Sequence, residues 1–224
     1  MEAVIQTRAE FIRRYWDYYL ILEKDFFETE RYVAIDKINF ATYSNEYSKQ
    51  YQTICSEIDV ISKSYCRAID NQFRGEVIDA YCKCITDADA SFSGQTIEVQ
   101  NRNIKLSPWA NWTYSIQTGT SGKTHLKAIN PIWWTTYNKI KHARTTINSA
   151  TNLQYYQLAN QENVLNALAG LFQIEMFYYK KLWTDFFQDD PDILDCPSRY
   201  FKMENWESNY GTFRDAIFEI SHEE

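Results

Sequence analysis

Apolar and aromatic side chains recur every three to four residues over most of this chain, and that period makes the helix its principal element. From about Thr7 to Tyr32 the stripe is Phe11, Tyr15, Tyr18, Leu22 and Phe26, widened by Tyr19, Leu20 and Phe27. From about Thr42 to Ile69 it is Ile54, Ile58, Ile61 and Tyr65, and from Asn160 to about Trp183 it is Val164, Leu168, Leu171, Phe172 and Met176. A shorter helix is predicted from about Glu76 to Asp89, after Gly75. Asn130-Pro131 predicts another reaching about Ile147, with the Asn as cap and the Pro at the first helical position. Strand period shows at Thr96 to Val99 and Ile104 to Leu106, a small hairpin joined by residues 100–103. Residues 107–130 read as loop, 148–159 as a polar stretch, and a last helix or strand falls near Phe213 to Ile220. The expected fold is mainly α: a helical bundle over 1–185 with a β-hairpin insertion at about 95–106, and an acidic extension, 186–224, packed on the same domain.

A chain of 224 residues buries enough surface to fold without disulfide or metal staples. Its aromatic content of 17%, led by 17 Tyr, suits a core between helices, because Tyr offers an apolar body and a polar tip. Glu2, Arg8, Glu10, Arg13 and Arg14 interrupt any apolar run at the start, and Val164 to Ile174 is about half the ~20 residues of a membrane helix. No secretory or membrane segment is expected. Cys55, Cys66, Cys82, Cys84 and Cys196 are odd in number and scattered, so they read as reduced thiols of a cytoplasmic protein.

Charge is unevenly placed. No Asp or Glu occurs between Glu98 and Glu162, a window that holds Arg102, Lys105, Lys123, Lys127, Lys139, Lys141 and Arg144 with His125 and His142. The total of −7 therefore hides a basic middle between acidic flanks, the last of which has 11 acids and 3 bases from Asp185 to Glu224. Two readings stay open: the window packs against acidic helices of the same fold, or it forms a positive surface for phosphate or RNA.

Within the window, Pro131-Ile-Trp-Trp-Thr-Thr-Tyr-Asn-Lys-Ile-Lys-His-Ala-Arg144 is the sharpest feature. On a helix Trp134, Asn138 and His142 share one face, with Tyr137, Lys141 and Arg144 beside them. Lys141 and Arg144 would bind phosphate while His142 moves protons and Asn138 orients the group. The bland alternative is a His142 that satisfies a core hydrogen bond, with Lys141 and Arg144 ending the helix.

The run P-x-W-W-x-x-Y-N-x-x-K-H-x-R, a polar gap and then A-N-x-x-N-V-L-N-A-L-A-G-L-F resembles the end of HEPN-type helical proteins, and more closely an uncharacterised bacterial group near them. It covers residues 131–180 best; the early run Tyr18-Tyr-Leu-Ile-Leu-Glu-Lys-Asp-Phe-Phe looks similar too. The resemblance implies a helical bundle that dimerises through the motif helix, often a metal-independent ribonuclease of bacterial defence or toxin systems. In the family's ribonucleases four to six residues intervene between an Arg and the catalytic His; counted back from His142, those Arg positions are Tyr137, Thr136 and Thr135. Seven residues separate Arg214 from His222, one too many. The expectation is a protein that binds or cleaves RNA, with a non-catalytic dimerisation module built on a buried polar network as the alternative.

Glu23, Glu57 and Glu175 each sit within an apolar stripe, so each must be paired, metal-bound, protonated or at a solvated boundary. A pairing with Lys141, His142 or Arg144 is one of these options. No Glu-x-x-His occurs, so no di-iron site and no cofactor is expected. Gly119 to Thr124 has two residues between its glycines where a phosphate loop needs four, and Cys82-x-Cys84 lacks zinc spacing. Trp109, Trp112 and Tyr114 would either stack on unpaired bases or close a core.

Overall fold

The long helix Gln161–Phe186 is buried around nearly its whole circumference from Val164 to Tyr179, and the other elements are arranged around it. In a computed structural model describing residues 5–118, 122–190, 194, 197–204 and 206, five helices and seven short strands form one core. The first helix, α1, is α over Arg8–Phe11, π over Ile12–Trp16 and α again over Asp17–Glu28. It is followed by α2 (Asn45–Ile69), α3 (Ile78–Ala88), α4 (Ile132–Ala143) and α5 (Gln161–Phe186). The strands are β1 (Ile97–Val99), β2 (Ile104–Leu106), β3 (Thr113–Thr118), β4 (Thr124–Ile129), β5 (Ile147–Asn148), β6 (Leu153–Gln154) and β7 (Phe201–Met203).

The π segment explains one departure from the helical stripe. It takes up an extra residue between Phe11 and Trp16, both buried, so the inward face continues through Tyr19, Leu22 and Phe26. Tyr18, expected inside, is 38% exposed, while Tyr19 is sealed. Helix α2 follows its prediction, with Ile54, Ile58, Ile61 and Tyr65 all buried, and starts where the Ser44 hydroxyl accepts from the Tyr47 N–H. Asn160 caps α5 through the Asn163 N–H. Because Gln161 donates to Thr42 and Tyr47 while Tyr178 packs on Tyr65, α5 runs in the same direction as α2.

Four indoles and a glycine lock α4 and the 107–112 segment onto α5. Trp109 Nε1 donates to the Gly170 carbonyl at 3.0 Å and Trp133 Nε1 to the Pro108 carbonyl at 2.7 Å. A Cβ on Gly170 would lie 3.1 Å from the Trp133 ring and 3.2 Å from Trp109 Nε1, so the absent side chain makes room for both. Trp109 and Trp112 are core residues, not base-stacking platforms. Tyr114 is half-buried, and its hydroxyl donates to Asp87 at 2.7 Å.

The mainly α bundle with a single hairpin is corrected by the strand content: the structure is 56% helix and 14% strand in three small sheets, a mixed α/β arrangement. The predicted hairpin exists, with Asn101 and Asn103 taking the positive φ its turn requires, but β1 is the centre of three strands in the order β2-β1-β7. Ile97, Val99, Ile104, Leu106, Phe201 and Met203 fill its buried face. Residues 107–130, read as loop, contain the antiparallel pair β3-β4, and the polar stretch after α4 holds β5-β6. The expected element at 213–220, together with Cys196, Arg214 and His222, lies outside the described residues, as do residues 119–121 of the glycine loop.

Candidate functional site

Helix α4 opens differently from the sequence expectation. Pro131 occupies the cap position and the helix begins at Ile132; the Asn130 side chain instead accepts from Trp112 Nε1 at 3.1 Å and donates to Asp79 at 3.0 Å. Trp133, Trp134, Thr136, Tyr137 and Ile140 are buried, fixing that face against the core. The helix stops at Ala143, four residues short of the predicted end, and the chain turns back into β5. Its last turn consequently emerges from the protein. Lys139, Lys141, His142 and Arg144 are all exposed.

Of the four predicted site residues, Lys141, His142 and Arg144 are exposed at the end of the helix, and Asn138 is not. Asn138 is half-buried and spends its amide on the Trp134 carbonyl at 3.2 Å, within its own helix. The Lys141 ammonium lies 6.0 Å from the centre of the Tyr137 ring and within electrostatic reach of Asp59 on α2. Arg144 follows the helix, and its carbonyl accepts from the Tyr156 N–H at 3.0 Å. His142 faces solvent, which removes the reading of a core-satisfied imidazole. The turn is instead an exposed cationic end at the negative pole of a helix dipole, a placement that also stabilises the helix.

Aromatic side chains border it. Tyr156, half-buried, meets Tyr43, 45% exposed, edge to face at 5.9 Å, and the β6-to-α5 connection that carries Tyr155 and Tyr156 packs on α4. Tyr43 reaches this place through an isolated bridge to Asn160. Sequence reasoning missed Tyr43 and Tyr156 because they lie far from the motif and carry no period of their own.

The basic window divides in two. Arg102 forms a two-point ion pair with Glu30 and lies over the Phe27 and Tyr200 rings, and Lys105 pairs with Glu204; these charges are internal to the fold. Among the described residues, Lys123, Lys127, Lys139, Lys141 and Arg144 have no carboxylate within ion-pair distance. Lys123 and Lys127 are on the exposed β3-β4 hairpin, and the other three are at the end of α4.

The three glutamates do not pair with the motif cations. Glu23 accepts from Tyr19 at 2.7 Å, from Ser198 and from the Arg199 N–H at 3.3 Å, so it anchors the segment leading into β7. Burial raises its pKa, and these hydrogen bonds pull the other way. Glu175 is sealed, neither carboxylate oxygen has a hydrogen-bond partner among the described residues, and Glu57 on α2 is its charged neighbour. Burial first, and Glu57 second, push the Glu175 carboxyl well above the usual range. Burial likewise raises Glu57. Among the described residues no three His, Cys, Asp or Glu side chains come together as a metal-binding group, and no helix is long and apolar enough to cross a membrane. No protein-family model, curated protein or solved structure matches this chain.

Proposed function

We propose that this protein binds RNA in single-stranded form, through the last turn of α4 and the neighbouring tyrosines. One observation carries the proposal: Lys139, Lys141, His142 and Arg144 emerge together on an exposed turn, in a stretch of sequence without acids, beside Tyr43 and Tyr156. Cations neutralise phosphates and release counterions, while aromatic faces accept unpaired bases of any sequence. An overall charge of −7 would repel a polyanion, so contact would be confined to this turn and would weaken steeply with salt. A ribonuclease centre draws less support, because Asn138 is turned into its own helix and His142 has no partner positioned beside it among the described residues. Bacterial defence and dimerisation through α4, which the motif's resemblance implies, stay attached to this proposal as its context.

Titration of a labelled single-stranded RNA with the wild type and with the Lys141→Ala/Arg144→Ala variant, followed by anisotropy, tests it. Each lost phosphate contact lowers the salt slope by about 0.7, so the pair should cost roughly 20-fold in affinity at ~0.1 M salt. The melting temperature should fall only slightly, because both side chains are exposed and lose little beyond their interaction with the helix dipole. Equal affinity and an equal slope for the two proteins would place any RNA contact elsewhere. The recovered RNA, run on a denaturing gel, tests cleavage as well: shortening that disappears in His142→Ala would give that imidazole an acid–base role.

A further inference from the structure

Between the end of α2, the face of α3 and strand β4 lies an open cleft of about 500 Å³. Asp70, Phe73, Lys83, Cys84, Asp87 and Leu126 are among its lining residues. Cys84 is half-buried there, and its sulfur is 3.7 Å from the carbonyl oxygen of Cys66, a residue of α2 that is itself completely buried. One thiol therefore lines the cleft and lies against the main chain of a second, buried cysteine, whose thiol is also its hydrogen-bonding neighbour. The other described cysteines, Cys55 and Cys82, are sealed.

We propose that Cys84 and Cys66 form an oxidisable thiol pair, with Cys84 as the reacting sulfur at the cleft, Cys66 as the resolving one, and a small neutral hydroperoxide as the oxidant. Two further features favour this division of roles. Hydrogen bonding from Cys66 holds the Cys84 thiol below its ordinary range; burial, Asp70 and Asp87 act against that and Lys83 with it. Cys66 is driven the other way by burial, so it stays a thiol until its neighbour has reacted. The cleft also selects the reagent. Asp70 and Asp87 flank Cys84, and Lys83, the one ammonium among the described lining residues, is already paired with Asp87, so anionic disulfides are repelled and neutral peroxides are not.

The chemistry balances in two steps. The Cys84 thiolate attacks one peroxide oxygen, the O–O bond breaks, and the departing alkoxide takes a proton to leave as an alcohol, or as water from hydrogen peroxide, giving a sulfenic acid. The Cys66 sulfur then attacks the Cys84 sulfur. The S–O bond breaks, and hydroxide leaves as water with the Cys66 proton. Two thiols have lost two electrons to the peroxide, and a disulfide joins α2 to α3.

The test uses the full chain carrying Cys196→Ser, folded by circular dichroism, treated with hydrogen peroxide and mapped by non-reducing mass spectrometry. The expected product is a Cys66–Cys84 linked peptide lighter by two hydrogens, absent from the Cys84→Ser variant. With Cys66→Ser, a dimedone-type reagent should trap the sulfenic acid on Cys84. Without oxidant, native Cys84 should alkylate at least about tenfold faster than Cys55, Cys66 or Cys82, as its exposure and thiolate character require. A native Cys84 that resists both reagents but reacts after unfolding would overturn the proposal. So would oxidation that stops on Cys84 in the presence of Cys66. The mapping of the Cys196→Ser chain decides the matter even if a Cys66 or Cys84 variant fails to fold.

Discussion

Trp109→Ala should cost about 3–5 kcal/mol of folding stability, the range for emptying a large aromatic site in a core. The indole is 1% exposed and lies among Phe92, Trp112 and Trp133, with ring centres 5.9, 4.3 and 4.9 Å away. Removing it leaves a void facing α5 and withdraws the hydrogen bond to Gly170. The neighbours have little freedom to close that void, since Trp133 is held by the Pro108 carbonyl and Gly170 already sits at contact distance. A domain of ordinary stability has roughly 5–15 kcal/mol in total, so the variant should unfold at a far lower denaturant concentration or fail to accumulate as folded protein. Trp109→Phe keeps most of the apolar volume and should lose less. The measurement is the denaturant midpoint of each variant beside its RNA affinity. Unchanged stability with weakened RNA binding would mean that this indole is a surface platform and that its core placement is incorrect.

The contrast between Trp109 and Tyr156 shows what could be read from residues alone. Helices were legible wherever a stripe of apolar side chains met a single buried face, as in α2, where every predicted core position is sealed. In α1 the stripe was legible at Leu22 and Phe26 but not at Tyr18, because a π turn between Phe11 and Trp16 brings Tyr19 inward in its place and no residue type announces such a turn. The β3-β4 pair did leave a trace. Tyr114 and Ile116 alternate with Thr113, Ser115 and Gln117, and Leu126 and Ala128 with His125 and Lys127, but the apolar members are few and Ile116 is 64% exposed. Strand β7 pairs with β1 from about a hundred residues away, a pairing no local pattern encodes. At the candidate site the cations were visible as a motif, but their exposure depends on where α4 ends, and it ends at Ala143 without any Gly or Pro to mark the place. Glu23 and Glu175 were both legible as carboxylates in apolar stripes; that one is satisfied by Ser198 while the other has no hydrogen-bond partner among the described residues depends on tertiary packing.

That orphaned carboxyl gives the second large effect, with the opposite sign. Glu175→Met should stabilise the protein, by about 2–3 kcal/mol at pH 8, because it replaces a buried group lacking hydrogen bonds with an apolar one of similar length. Linkage sets the pH dependence. In the unfolded chain Glu175 ionises near the ordinary value of about 4.3, whereas in the folded protein burial and Glu57 keep it protonated to much higher pH. Between those limits the folded state holds the proton and the unfolded state has released it, so stability falls as pH rises. Below about pH 4 both states are protonated and this contribution is flat. Met cannot titrate. The advantage of the variant should therefore be small near pH 5 and larger at higher pH, as read from urea denaturation at each pH. Glu57→Gln should flatten the wild-type slope only in part, since desolvation outranks the Glu57 charge as the cause of the shift and Glu57 also adds a slope of its own through burial. A Met variant that is less stable than wild type at every pH would mean that the carboxylate has a partner, and a bound cation or ordered water would then be the first thing to look for between α2 and α5.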